Sequence, residues 1–421
     1  EGIDALFHVS VRNDRFYVHT NHQAPRYQLF EVDPLKPWRE AWILRLPQGE
    51  DVLESAVNVG EVLIAERSRK ACGSLTVHDR AGTLLHEVPL PTLGTIAGLG
   101  AEWDGQEFLF GFQSFIVPQT VYHVDLSKPL EPLKPALWRQ VQVEADLSGY
   151  EVQQVTYASK DGTPVTMFLA GKKDLPRDGD RPTVLYGYGG FNISLTPSFS
   201  ASRLLFFEAG GLLAVANLRG GGEYGEEWHR AGMLGHKQNV FDDYIAAAEW
   251  LLAQGYTRPA RLAAMGGSNG GLLVGVALTQ RPELFRAVVC QVPLLDMVRY
   301  SKFLIARLWV KEYGDPENPE HFRWLYAYSP YHRVREGVDY PAVLLVTAES
   351  DTRVDALHAR KMAARLQAVA RPDRPVLLRL ETRAGHGAGK PLNKVKEELT
   401  DVWSFLFWQL GIEFPAQAPT R

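Results

Sequence analysis

The stretch "RLAAMGGSNGGLLVGVAL", residues 261–278, decides how the rest of the chain is read. A short apolar run enters a cluster of glycine, serine and asparagine, and an apolar run of helical character leaves it. Gly266, Gly267, Ser268, Asn269 and Gly270 fit the pattern G-x-S-x-G, a strand-to-helix turn that holds a serine in the open. Such a turn is strained. Side chains two positions either side of the serine would collide, so glycine stands there. The helix that follows favours developing negative charge at its N-terminus. The five-residue pattern alone is weakly specific, because most such clusters are plain turns. The strand before it and the helix after it make Ser268 the candidate nucleophile.

Outward from this turn, "TVLYGY", "GLLAVANL", "RLAAMG", "AVVCQVP" and "AVLLVTAES" alternate with helical patterns such as "DDYIAAAEWLLAQG". Near-continuous apolar strands separated by helices predict a doubly wound, mostly parallel sheet covered on both faces. With the serine turn, the class is an α/β hydrolase, expected over residues 141–421. Upstream, "VQQVTYASKDGTPVTMFLA" reads as two strands and a turn, followed by the polar loop "GKKDLPRDGDRP". The last residues, "PAQAPTR", read as a loose tail.

In this fold an acid and then a histidine follow the serine along the chain. Asp296 and Asp351 both sit just after apolar strands. Asp351 lies in the polar loop "ESDTRVD", whereas Asp296 runs into "MVRYSKFLIARLW", where capping a helix is the easier role. Among histidines, His386 stands in "ETRAGHGAGKP", a glycine-flanked loop that lets an imidazole reach over the strand ends. His358 lies in the helical pattern "DALHARKMAARL", where a structural role is the default. Asp351 and His386 are therefore the favoured partners of Ser268.

Acyl transfer also needs donors for an oxyanion. The backbone N–H of Asn269 is one candidate, and the loop "YGYGGFN" after the first strand is the place for the second. Tyr188 is either a hydroxyl donor there or a buried strand-end tyrosine; the residues leave both open.

The first third reads differently. "YQLFEVD", "SLTVHD" and "TVYHVD" end at Asp33, Asp79 and Asp125, and 79 − 33 = 125 − 79 = 46. Phe16, Val62 and Phe108, in "RFYVH", "EVLIA" and "EFLFG", keep the same spacing of 46. Turn residues precede each: Asn13-Asp14, Gly60 and Asp104-Gly105. A period in the forties built of short strands predicts blades of a β-propeller, about three of them over residues 1–140. Three blades do not close a ring, and the opening "EGIDALFHVS" has neither Met nor a signal-peptide pattern. The expectation is a chain entered midway, with an N-terminal portion preceding it.

The 421 residues are 45% hydrophobic and 22% charged, with a net charge of −4, an ordinary globular composition long enough for two or three domains. A mildly acidic balance without basic runs points away from nucleic acid and from an anionic membrane. The longest apolar stretches fall far short of a membrane span. Cys72 and Cys290 are too far apart in sequence for a disulfide framework or a metal cluster, so buried free thiols in a reducing compartment are expected.

With these residues assembled, the chain resembles the prolyl oligopeptidase family of serine peptidases, in its prolyl endopeptidase branch. The matching runs are "YGYGGFN", "NLRGGGEYG", "QNVFDD", "GGSNGGLL", "SPYH", "DTRVDALHARK" and "AGHGAGK", in family order between Thr183 and Lys390. The resemblance implies that Ser268 is the nucleophile, His386 the general base and acid, and Asp351 the group that orients His386. It implies an oxyanion hole of Tyr188 and the Asn269 N–H, with Arg353 binding a substrate carbonyl. Trp309 would stack on a substrate proline ring, and Phe191, Leu294, Ile305, Tyr313 and Val354 would line the pocket. An aromatic wall suits proline, which offers a flat apolar ring and no backbone N–H.

The expected activity is cleavage of short proline-containing peptides on the carboxyl side of proline, with no metal or organic cofactor, in the cytoplasm. Family members resemble a leading segment, a propeller of about seven blades and then the hydrolase, so about four blades would precede this chain in the same full-length protein. Rival readings are a relative that cuts after Arg or Lys, or one that releases acylaminoacyl or dipeptidyl units. A carboxylesterase and a silent peptide-binding module are more distant. Acidic residues would be needed to hold Arg or Lys, and Trp309, Leu294 and Ile305 suggest an apolar pocket instead.

Overall fold

The computed structural model describes residues 2–382, 384–387 and 390–413. The tail "PAQAPTR", and Ala388 and Gly389 of the histidine loop, lie outside the described residues.

Three four-stranded sheets come first, each with its strands in sequence order. They contain β1 (Phe7–Arg12), β2 (Arg15–Thr20), β3 (Gln28–Val32) and β4 (Ile43–Leu46); then β5 (Val52–Val59), β6 (Val62–Arg69), β7 (Cys72–Asp79) and β8 (Leu84–Glu87); then β9 (Thr95–Ala101), β10 (Glu107–Gln113), β11 (Thr120–Asp125) and β12 (Ala136–Gln140). All pairs are antiparallel, as hairpin-linked strands require. Phe16, Val62 and Phe108, 46 apart, stand at the start of the second strands of the three sheets; Phe16 faces Val32 and Phe108 faces Val124, whereas Val62 faces Asp79, one residue out of that register. Asn13 and Gly60 take positive φ, 52° and 50°, in the tight turns where the sequence places turn residues.

Neighbouring sheets bury their apolar faces on each other, as propeller blades do. Ile64 and Val77 of the second pack with Phe108, Phe110 and Phe112 of the third. Leu29 and Leu46 of the first pack with Leu53 and Leu63 of the second.

The eight-stranded sheet that follows contains β13 (Tyr150–Ala158), β14 (Pro164–Lys172), β15 (Thr183–Tyr186), β16 (Leu212–Ala216), β17 (Leu262–Gly267), β18 (Ala287–Gln291), β19 (Ala342–Ala348) and β20 (Val376–Glu381). Its order is β13-β14-β16-β15-β17-β18-β19-β20. The β13–β14 and β14–β16 pairs are antiparallel, and every pair from β16 to β20 is parallel. Strands β16 and β19 are buried at every position, which is why they read as unbroken apolar runs. Helices α1 (Ala201–Glu208), α2 (Glu226–Arg230), α3 (Gln238–Ala253), α4 (Asn269–Gln280), α5 (Val310–Tyr313), α6 (Pro319–Tyr328), α7 (Pro330–Arg333), α8 (Leu357–Gln367) and α9 (Leu392–Leu410) intervene or follow. The fold is an α/β hydrolase preceded by propeller blades.

The chain leaves β15 for β16 on one side and then crosses to β17 on the other. That reversal is the switch point where open α/β sheets form their crevice, beyond the strand C-termini. Tyr186, at the end of β15, pairs in register with Met265 of β17, so the loops after them start side by side.

Two findings differ from the sequence-based expectation. The first compact unit runs to Ser148 rather than 140 and takes in Ser194–Ala201 and Gly222–Trp228. Those later segments bond to blade residues: Thr95 Oγ1 donates to the Pro197 carbonyl at 2.6 Å, and Phe199 N–H donates to Gln113 Oε1 at 3.2 Å. The stretch after Asp296 is not one helix. It forms the short 3₁₀ turns Tyr300–Lys302 and Ala306–Trp309 before α5, with Leu304 between them at a φ of 46° that no helix accommodates.

Candidate active site

The serine turn has the geometry its glycines predict. Ser268 lies between β17 and α4 with φ 56° and ψ −116°, a strained conformation for a residue with a side chain. A Cβ on Gly266 would stand 2.2 Å from the Gly270 carbonyl oxygen, and one on Gly270 would stand 2.6 Å from the Gly187 oxygen. The turn is held from the next strand by the Ser268 N–H, which donates to the Gln291 carbonyl at 2.9 Å.

His386, on the loop between β20 and α9, reaches this serine. Its Nε2 lies 3.2 Å from Ser268 Oγ and its Nδ1 lies 2.6 Å from Asp351 Oδ2. Asp351 follows β19, its side chain fully buried, while that of His386 is 17% exposed. The other carboxylate oxygen accepts the N–H groups of Arg353 and Val354 at 2.8 and 2.9 Å. Burial pushes the Asp351 carboxyl up, but His386 and these two amides outweigh it and hold it below its ordinary value. The acid stays ionised and aimed at the imidazole. A serine, a histidine and a fixed carboxylate in this order can activate a hydroxyl for attack on a carbonyl.

The rival pair is built into the scaffold. His358 is buried, and its Nδ1 accepts the backbone N–H groups of Leu295 and Asp296 at 3.2 and 3.1 Å. Burial lowers its pKa to about 4, so it is a neutral acceptor that holds the loop after β18. The Asp296 carboxylate pairs with Lys361 and accepts the Arg299 N–H at 3.2 Å.

Burial raises the pKa of Tyr188, on the loop after β15, with the Arg353 charge and the nearby Ser268 hydroxyl opposing, so the phenol stays protonated beside the candidate nucleophile. The Asn269 N–H, in the first turn of α4, has no carbonyl of its own helix to donate to. Its side chain has a role that the sequence did not reveal. Nδ2 donates to the Tyr188 carbonyl at 2.6 Å, and Oδ1 accepts the Tyr313 hydroxyl at 2.8 Å. One buried amide thus joins the serine turn, the tyrosine loop and α5.

Beside this arrangement Phe191 packs edge-on against Trp309, at 6.4 Å, and Tyr313, at 5.5 Å. The other expected lining residues divide: Leu294 and Val354 are buried, whereas Ile305 is 41% exposed on the turn that leads to Trp309. Among the described residues no group of three His, Cys, Asp or Glu side chains is arranged to hold a metal ion, and no helix is long and apolar enough to cross a membrane. Cys72 and Cys290 are buried and free, and burial raises both thiols, that of Cys72 to about 11.

The sheet and the serine turn define an α/β hydrolase of the kind that carries its nucleophile between strand and helix. Family models narrow this further: "Prolyl oligopeptidase family" matches residues 197–413, and "Prolyl oligopeptidase, N-terminal beta-propeller domain" matches residues 2–135. The chain belongs to the prolyl oligopeptidase family. It is 39% identical over 407 residues to the prolyl endopeptidase of Elizabethkingia miricola, covering 96% of this chain and 57% of that protein. A solved prolyl endopeptidase structure superposes with a TM-score of 0.93 at 48% identity, covering 98% of this chain and 61% of the other. Prolyl oligopeptidase B from Galerina marginata, bound to a 35mer hydrolysis and macrocyclization substrate, superposes at 0.91 with 32% identity, covering 98% and 58%. The chain thus spans little more than half the length of the relatives it matches.

Proposed function

We propose that this chain carries the catalytic centre of a serine peptidase that cuts short peptides on the carboxyl side of proline. The observation that carries the reading is the hydrogen-bonded series Ser268, His386, Asp351 beside the aromatic group of Phe191, Trp309 and Tyr313. Ser268 attacks the proline carbonyl as His386 Nε2 takes its proton. Asp351 stabilises the imidazolium, and the oxyanion is held by the Tyr188 hydroxyl and the Asn269 N–H. His386 then protonates the leaving amine, and water releases the acyl group by the same steps in reverse.

Arg353 binds a substrate carbonyl upstream of the cut, a role supported by the nearness of its charge to the Tyr188 phenol. The proline ring lies against Trp309, with Phe191 and Tyr313 beside it and Leu294, Ile305 and Val354 completing the surroundings. Two of the named relatives are prolyl endopeptidases, and the third, a prolyl oligopeptidase, is bound to a 35mer hydrolysis and macrocyclization substrate, which supports peptides as the substrate class. The triad calls for neither a metal nor an organic cofactor. Two free buried thiols support a reducing, cytoplasmic setting.

The test is hydrolysis of three fluorogenic peptides, with Pro, Arg or Ala before the reporter, by the chain and by Ser268→Ala. The expected result is release after Pro that disappears in the variant. Release after Arg would refute the pocket assignment while sparing the triad. Release that survives Ser268→Ala would refute the mechanism.

A further inference from the structure

Behind the aromatic group lies a buried charge cluster that no step above uses. Glu312, 5% exposed on α5, is bound from three directions. Its carboxylate accepts the backbone N–H of Phe191 at 3.1 Å, Lys237 Nζ at 3.1 Å and His229 Nε2 at 2.8 Å. Lys237 is 1% exposed, donates to the Gly189 carbonyl at 3.0 Å, and lies 5.3 Å from the centroid of the Tyr313 ring. Burial raises the Glu312 carboxyl, but Lys237 and His229 overcome it and hold the group below its ordinary value. Lys237 is shifted down by burial, with Glu312 opposing.

Two buried charges are an expensive way to fill space. Apolar residues of similar size are often as stable or more so, which directs attention to what the pair positions. It grips the loop after β15 at two points, the Gly189 carbonyl and the Phe191 N–H. The loop needs such a grip, because Phe191 and Asn192 hold φ of 58° and 57°, a left-handed region that residues with side chains adopt at a cost. Gly190, between Gly189 and Phe191, is closely packed: a Cβ there would lie 2.6 Å from Asn269 Nδ2 and 3.0 Å from Lys237 Nζ. Phe191 is thereby turned so that its ring meets Trp309 and Tyr313.

We infer that Glu312, paired with Lys237, is a positioning residue for specificity: by fixing the Phe191 backbone it sets the shape of the wall that selects proline. The inference rests on the peptidase reading above. Proline presents only a flat ring to such a wall, so selectivity depends on ring placement more than on hydrogen bonds.

Two variants test it. Glu312→Gln keeps the shape but leaves the Lys237 ammonium buried without its counter-charge. Glu312→Leu with Lys237→Met removes both charges together, and with them the partners of the Phe191 N–H, His229 and the Gly189 carbonyl; it leaves neither charge of the pair unpaired, and a thermal melt reports whether it is folded. Each is assayed on matched Pro and Ala peptides, with fluorophosphonate labelling of Ser268 as a separate report on the triad. The expected result for the double variant is a fall in kcat/KM at least about tenfold larger for Pro than for Ala, and for Glu312→Gln, whose amide oxygen still accepts the Phe191 N–H, a smaller loss in the same direction. A double variant that folds and keeps the wild-type preference would overturn the inference, as would equal losses on both peptides. A wild-type chain with no preference for Pro over Ala would overturn the functional reading itself, and the inference with it, before any variant was made.

Discussion

Tyr313 donates its hydroxyl hydrogen to Asn269 Oδ1 at 2.8 Å, and the same side chain passes a hydrogen bond from Nδ2 to the Tyr188 carbonyl at 2.6 Å. The residue after the candidate nucleophile is thereby fixed from two sides, and its N–H is aimed by tertiary contacts as well as by the helix.

Tyr313→Phe removes one of these bonds while keeping the ring that packs on Phe191. It leaves the buried Asn269 Oδ1 unpaired, a loss of about 1–3 kcal/mol. If that cost falls on the reacting geometry, kcat/KM on a Pro peptide drops about tenfold or more. Steady-state kinetics beside a thermal melt check this. A variant as active as the parent would show that the bond does not position the oxyanion donors.

Gly266→Ala tests the serine turn without touching a reacting atom. The added methyl meets the Gly270 carbonyl oxygen at 2.2 Å, and that contact is backbone, which cannot swing aside as a side chain could. Overpacking of this kind is expected to destabilise the chain by about 3 kcal/mol or more, at the upper end of such effects. Urea unfolding measures it. A loss below about 1 kcal/mol would mean that the turn opens readily, contrary to the close packing described here.

His358 gives a pH dependence of stability. In the native chain this imidazole stays neutral down to about pH 4, whereas the unfolded chain protonates it near its ordinary value of 6.5. Between those values the unfolded state binds more protons. Stability that is complete above pH 6.5 is therefore lost as the pH falls towards 4, by up to about 3 kcal/mol from this group. His358→Asn keeps an acceptor for the Leu295 and Asp296 N–H groups but does not titrate. Its stability is expected to fall less than that of the parent between pH 7 and 5. Identical slopes in urea unfolding at the two pH values would count against the assignment.

The elements that local pattern controls were legible in the residues. The runs at Leu212–Ala216 and Ala342–Ala348 lie inside a parallel sheet buried on both faces, which is why they are apolar at every position but Thr347. The 46-residue period survives in the second strand of each sheet, at Phe16, Val62 and Phe108, because each blade repeats the same turn-and-pair unit, although the second sheet pairs one residue out of that register. Gly266 and Gly270 announced the serine turn because only glycine fits that close approach.

What depended on long-range meetings needed the tertiary structure. Asp351 and Asp296 look alike in sequence, and only the arrangement of the loops beyond β19 and β20 brings the first to His386 and the second to Lys361. Leu304 turns an apparently helical stretch into two short turns by taking a φ of 46°, against its own helical propensity, which local pattern does not signal. Glu312 meets Lys237 from 75 positions away and His229 from 83, distances at which periodicity carries no signal. The sequence by itself determined the strands, the blades and the serine turn, since each is a local consequence of residue type. The partners of that serine, and the charges that hold its loop, were decided only when the folded sheet placed distant strand ends together.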